Sequence, residues 1–259
     1  MKRSLERILR KSDRDINRAV LKFVIWVFAI MAILFVLFAV ALGATNSDLL
    51  LNVGTEIMGI VITVLVINEY YDLRGRSELK MKLIREMGSR DNSDALKAVR
   101  ELSAHEWLSD GSLIGKDFSH ADLSDVDLKD SDLRESSLVC TSFRNAWLSR
   151  AQLCNAVLYH AMFEDAILNA ANFIGAKFSN IDEQLKEARF MVGAVMPDGE
   201  GYDGRYRLKD DEAIIDSKKP KNAIDDSWRA SVAAEYYGVS IEKYIAGQRW
   251  ANENLFPFF

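Results

Sequence analysis

Three hydrophobic patterns follow one another along the chain. The first is a run from Phe23 to Leu42, FVIWVFAIMAILFVLFAVAL, 20 residues without a charge or a strongly polar group. About 20 residues rising 1.5 Å each cross the ~30 Å hydrocarbon core of a bilayer. The run is too long for the ~7–15 residue apolar region of a signal peptide. A second run, Leu49 to Ile67, follows the short connection GATNSD. The pattern predicts two transmembrane helices, 23–42 and 49–67, joined as a hairpin.

The second span is not uniformly apolar. Asn52, Glu56, Gly59 and Thr63 follow steps of four, three and four, which places them on one helical stripe. Thr55, Gly59 and Thr63 also form a ladder of small residues suited to close helix packing. A carboxyl at Glu56 is costly in lipid unless neutral, paired or wetted. Three readings stay open: packing within the hairpin or between copies, a pore or proton-linked role, and a chance polar residue near the interface.

Residues 69–107 keep a helical pattern. Leu79, Leu83 and Met87 recur at spacing four, Gly88 can stop the helix, and SRDNSD supplies caps for a second one carrying Leu96, Val99 and Leu102. This reads as a cytoplasmic helical stalk that sets the following domain away from the membrane. His105 falls at its end as an ordinary polar residue without a local partner.

The third pattern has period five. From Leu113 to Phe178 every fifth residue is Leu or Phe, 14 times without a break. Two residues before each stands a mostly small one, such as Ala146, Ala151, Ala156 and Ala161. Residues five apart on a helix diverge by about 140°, so no helical face collects them. In an extended chain, positions i and i−2 share a side. Each unit therefore sends one large and one small side chain inward and then turns, and it must stack on its neighbours to bury them.

Units such as ADLSD, SDLRE, AQLCN and ANFIG resemble the pentapeptide-repeat family over residues 111–180. The resemblance implies a right-handed quadrilateral β-helix with four repeats per coil. Fourteen repeats then make about three and a half coils, roughly 17 Å tall at ~4.8 Å per coil. Lys116 interrupts the small inward position, so the first coil is expected to be irregular or capped by the stalk around Trp107. Residues 181–196 predict a capping helix and one last rung centred on Met196, similar to the terminal segment of many family members. Residues 197–259 predict a small α-helical C-terminal module ending in the apolar tail LFPFF. The fold class is thus membrane α plus β-solenoid.

Charge supplies the orientation. Residues 1–22 form a basic, amphipathic segment, the hairpin loop carries no basic residue, and Arg74, Arg76, Lys80, Lys82 and Arg85 follow the second run. By the positive-inside rule both termini face the cytoplasm of a bacterial inner membrane. Two cysteines, Cys140 and Cys154, then read as reduced thiols. The net charge of −5 disfavours a nucleic-acid partner. Some soluble members of the family imitate DNA with acidic faces, but the acidic stretch here, Asp117 to Glu135, covers less than two coils and reads as solvated.

No catalytic set, phosphate loop, metal site or cofactor motif stands out, and an enzyme is not expected. His120 and His160 fall at outward turn positions and read as solvated. Outward apolar residues Trp147, Val157, Tyr159, Met162 and Ile167 form the expected interaction patch, covered by the C-terminal module or by a second copy. The expected function is a membrane-anchored protein–protein interaction scaffold. Its partners are the lipid bilayer, further copies in a homo-oligomer, and an unidentified protein on the solenoid. The alternative is a small oligomeric channel or membrane-disrupting effector, with the second span lining the pore.

Overall fold

The period of five becomes a coil of twenty residues. Parallel bridges join Asp117 to Ser137, Asp122 to Ser142, Trp147 to Ile167 and Gln152 to Asn172, always one coil apart. Four units therefore make one turn of a four-sided solenoid, as the family resemblance implied. Extended pairing is brief on every side. Among the described residues, only β1 (Val157–Leu158) and β2 (Lys177–Phe178) reach two residues; the other rungs are single bridges.

The reason is the turn that ends each unit. The amide three residues beyond the central one donates to the central carbonyl, as Ala146 does to Phe143 at 3.0 Å. The third turn residue has positive φ, every fifth residue from His120 (64°) to Ala170 (55°) and Gly175 (68°). Left-handed backbone costs a non-glycine residue about 1–2 kcal/mol. Burying one Leu or Phe per unit returns about 1.5–3 kcal/mol, which offsets it. Leu123, Leu128, Leu133, Leu138, Phe143 and Leu148 are all buried. Phe143 and Phe163 stack across one coil with centroids 5.3 Å apart.

The computed structural model describes residue 33, residues 47–221, residue 223 and residues 227–255. The basic segment 1–22, the first apolar run except Ile33, the loop to 46 and the last four residues lie outside them. The chain divides into two compact units, Met1–Arg76 and Ser77–Phe259. Helix α1 (Ser47–Met87) is continuous through the second apolar run and the first half of the expected stalk. Among the described residues, no helix is long and apolar enough to cross a membrane.

In the second unit the stalk residues cap the first coil, one of the two outcomes expected there. Leu83, Ile84 and Met87 of α1 are buried with Ala95, Ala98, Val99 and Leu102 of α2 (Asn92–Ala104) in the solenoid core. Leu79 stays exposed and Leu96 only half-buried, while Val99 and Leu102 are buried as expected, with Ala95 and Ala98 beside them. Two alanines let that helix lie close against the first coil. Asn92 Nδ2 donates to the carbonyl of Ser124 at 2.7 Å, and Asp122 N to that of Ser89 at 3.0 Å. His105 is not solitary: its ring stacks on Trp107 with centroids 4.3 Å apart.

At the other end α3 (Ile181–Leu185) interrupts the coil, capped by Asn180. Gln184 Nε2 donates to the carbonyls of Leu158 (2.7 Å) and Ala161 (2.9 Å), replacing partners a regular corner would supply. The repeat then resumes with two buried units, on Met191 and Met196, rather than the single expected rung. Ile167 pairs with Phe190 and Asn172 with Val195, so the interruption adds three residues to the coil. Helices α4 (Lys209–Ser217), α5 (Ser227–Tyr237) and α6 (Ile241–Asn254) complete the C-terminal module.

Candidate functional site

On α1 the predicted stripe is partly visible. Asn52 and Thr55 lie in the helix by their backbone. Glu56, Gly59 and Thr63 line an open groove of about 400 Å³ together with Ile60 and Val64. The stripe is thus half apolar. Thr63 Oγ1 donates to the carbonyl of Gly59 at 2.7 Å, so its hydroxyl is satisfied within its own helix. Around this groove the helix exposes Ile57, Met58, Ile62 and Val66.

On the solenoid the coil register separates the predicted patch. Trp147 and Ile167 share a face with Asp127 and Phe190. Met162 shares the next face with Asp122 and Ser142, and Val157 sits two units from Trp147, with Ser137. Tyr159 goes with Val157, just past Leu158. The five residues therefore form no single surface. Among the described residues the C-terminal module leaves Trp147 44% exposed. Its ring is covered in part by Lys129, whose ammonium lies 3.5 Å from the ring centroid, a cation–π contact set up by the coil register.

The acidic stretch has a local task. Asp117 Oδ1 accepts the Ser119 amide at 2.9 Å, and Asp122 Oδ1 the Ser124 amide at 3.1 Å, each bracing its own turn. Hydrogen bonds from Ser119 hold the Asp117 carboxyl below the usual carboxylate range. Asp132 is held low by the Arg134 guanidinium, which donates at 2.7 Å. These carboxylates shape the coil before they offer charge to a partner.

A cluster that the linear reading missed closes the C-terminal end. Tyr202, Tyr206, Tyr237 and Tyr244 are buried around Asp211. Tyr202 stacks on Tyr206 at 5.6 Å and meets Tyr237 edge-on at 5.4 Å. Tyr236 Oη donates to Asp211 Oδ1 at 2.9 Å and Tyr206 Oη to Asp182 at 3.0 Å. Burial pushes the Tyr206, Tyr236 and Tyr237 hydroxyls up, so they stay protonated throughout the physiological range. The available signal was compositional: five of the eight tyrosines follow residue 200. On the surface, Arg229 bridges Glu212 and Asp216, and Arg189 reaches Asp210 at 2.6 Å.

This four-sided stack of five-residue units defines the class: a β-solenoid built from pentapeptide repeats. Residues 108–138, 136–173 and 146–182 match the family model described as Pentapeptide repeats, in 8 copies, so this part of the chain belongs to the pentapeptide-repeat family. Among solved structures the chain is similar to HetL, a pentapeptide repeat protein involved in heterocyst differentiation regulation from the cyanobacterium Nostoc sp. strain PCC 7120. That match has 30% identity over 32% of this chain and 42% of HetL, with a TM-score of 0.16. A pentapeptide repeat protein from the Arabidopsis thaliana thylakoid lumen matches at 24% identity over 47% of this chain and 86% of that one, with a TM-score of 0.17. Rfr23 from the cyanobacterium Cyanothece 51142 matches at 28% over 31% and 60%, with a TM-score of 0.14. The chain thus spans less than half of HetL. A search of the curated proteins finds no match.

Proposed function

We propose that this chain is a membrane-anchored scaffold. A hairpin of spans 23–42 and 49–67 anchors a cytoplasmic pentapeptide-repeat solenoid at a bacterial inner membrane, where copies assemble and the solenoid binds a protein partner. The carrying observation is the second span. Ile60 (64% exposed) and Val66 (62%) face outward on the same helix as Ile57, Met58 and Ile62. Apolar surface is unfavourable in water by about 25 cal/mol per Å², so a helix apolar in several directions calls for lipid or protein around it. The matched repeats begin only at residue 108, so the support for the anchor is this helix and the apolar runs. For the scaffold role, the solenoid interior is filled by Leu and Phe and leaves its outer faces as the interacting surface.

The groove at Glu56 favours one second reading, an oligomeric channel in which Asn52, Glu56 and Thr63 line the pore. Two measurements on the full-length chain decide. Sedimentation with membranes through high salt and alkaline carbonate is expected; release into the supernatant overturns the anchor. Absolute mass in detergent, corrected for bound detergent, is expected at a defined multiple of 29.3 kDa. A monomer removes both the homo-oligomer and the channel. Ion flux in liposomes that Glu56→Gln abolishes replaces the scaffold reading with the channel.

A further inference from the structure

Two of the chain's three histidines and one of its two cysteines stand in a single column. His120, Cys140 and His160 each take the third turn place, with φ of 64°, 56° and 57°. They are one coil apart in register: His120 N donates to Val139 O and Cys140 N to Tyr159 O, both at 2.8 Å. Neighbouring members of such a column are about 4.8 Å apart, the spacing of parallel rungs. Both histidines are exposed and Cys140 is half-buried.

Side chains in this turn place reach one another across a coil. In the next column but one, Arg150 donates to both carboxylate oxygens of Asp130 at 2.6 and 2.7 Å. In another, Asn155 leans over Gly175 so closely that a Cβ there would lie 2.3 Å from its Oδ1.

We propose that His120, Cys140 and His160 form a three-ligand site for a divalent transition metal of the zinc class. Cys140 supplies the central thiolate, and the imidazoles approach from the coil before and the coil after. An ion 2.3 Å beyond the sulfur lies about 6 Å from either histidine Cβ, the reach of an imidazole bound through Nε2. His160 Nδ1 lies 3.5 Å from Ser179 Oγ, a contact that leaves Nε2 free. Among the described residues no three such groups are already gathered to hold a metal. The ion closes the site by drawing the two exposed imidazoles toward Cys140, motions that surface rings make in picoseconds to nanoseconds. Binding replaces the thiol proton with the metal and releases that proton to solvent. Three protein ligands leave one position for water.

The test is cobalt(II) titration of the full-length, phosphine-reduced chain in detergent. One equivalent should bind with a thiolate-to-cobalt charge-transfer band in the near ultraviolet, and zinc should displace it. Cys140→Ser should abolish the band while Cys154→Ser keeps it. His120→Asn and His160→Asn should each weaken binding at least tenfold, with circular dichroism unchanged. Absence of the band in the parent chain overturns the site. So does a band that survives Cys140→Ser, or affinity that neither histidine variant alters. None of these outcomes depends on the membrane or scaffold reading.

Discussion

Arg150 reaches back one full coil to Asp130 and holds it with two hydrogen bonds of 2.6 and 2.7 Å. The pair shows how twenty residues of sequence separation become direct contact. It also shows the limit of such contacts, since both side chains are largely exposed. The guanidinium holds the Asp130 carboxyl below its usual range. Water and salt screen most of that interaction, and exposed pairs are typically worth about 0.2–1 kcal/mol. Arg150→Ala should therefore lower the midpoint of chemical unfolding only slightly, and less at high salt. A larger, salt-insensitive loss would show that the ladder is structural.

The inward position before Leu133 is Ser131, fully buried. Neighbouring hydroxyls in the same role are satisfied: Ser136 donates to Leu133 O at 2.6 Å and Thr141 to Phe118 O at 2.9 Å. Ser131 Oγ has no hydrogen-bond partner among the described residues. An unsatisfied buried hydroxyl costs about 1–3 kcal/mol, and alanine fills this position in most later repeats. Ser131→Ala should raise stability by about 1 kcal/mol, whereas Thr141→Ala should lower it. Equal losses in both variants would mean that Ser131 is hydrogen-bonded after all.

Much of this was legible before any coordinates. The unbroken Leu and Phe series defined the solenoid, because inward packing at every fifth residue leaves no other solution. The capping role of residues 83–104 was legible only as one of two options for the first coil. Leu83, Met87 and Leu102 have the helical spacing of any amphipathic stalk, and only the open end of the first coil explains what they pack against. The interaction patch is legible only in part, since Trp147 and Ile167 do share a face. Trp147 and Val157 look alike in sequence, yet ten residues is half a coil and places them on different faces. The column of His120, Cys140 and His160 was present as a spacing of twenty. It stayed unseen while each residue was weighed alone.

Gly247 sets two effects against each other. It lies inside α6, where alanine would be favoured by about 1 kcal/mol on helix propensity. A Cβ there would come within 2.6 Å of Asp203 Cγ, and Asp203 is buried and bound to Arg205 by two hydrogen bonds of 2.9 Å. The carboxylate cannot withdraw without breaking that pair. Overpacking of this kind costs about 1–3 kcal/mol, so the clash wins. Gly247→Ala should loosen the C-terminal helices, read as faster proteolysis between residues 205 and 255, while the repeat coils keep their protection. Unchanged cleavage would mean that α6 shifts without penalty.

Asp211 gives the C-terminal module a dependence on pH. It is fully buried, and burial pushes its carboxyl up to about 6, against hydrogen bonds from Tyr236 and the Met191 backbone that act to lower it. Neither Asp211 Oδ2 nor the Tyr237 hydroxyl beside it makes a hydrogen bond of normal geometry among the described residues. The folded chain therefore holds a proton that the unfolded chain, with an ordinary Asp, releases near pH 4. Stability from this group is full below about pH 4, falls as pH rises toward 6, and is flat above. The loss amounts to about 3 kcal/mol for a shift of this size. Surface carboxylates held low, such as Asp130 and Asp132, act in the opposite sense, so the contribution is isolated by difference. Asp211→Asn keeps the shape and cannot ionise. It should be more stable than the parent chain at pH 7.5, with the gap closing toward pH 4. Thermal unfolding of both chains across that range measures it, and a constant gap, or a variant less stable at pH 7.5, would show that Asp211 is ionised and satisfied in the fold.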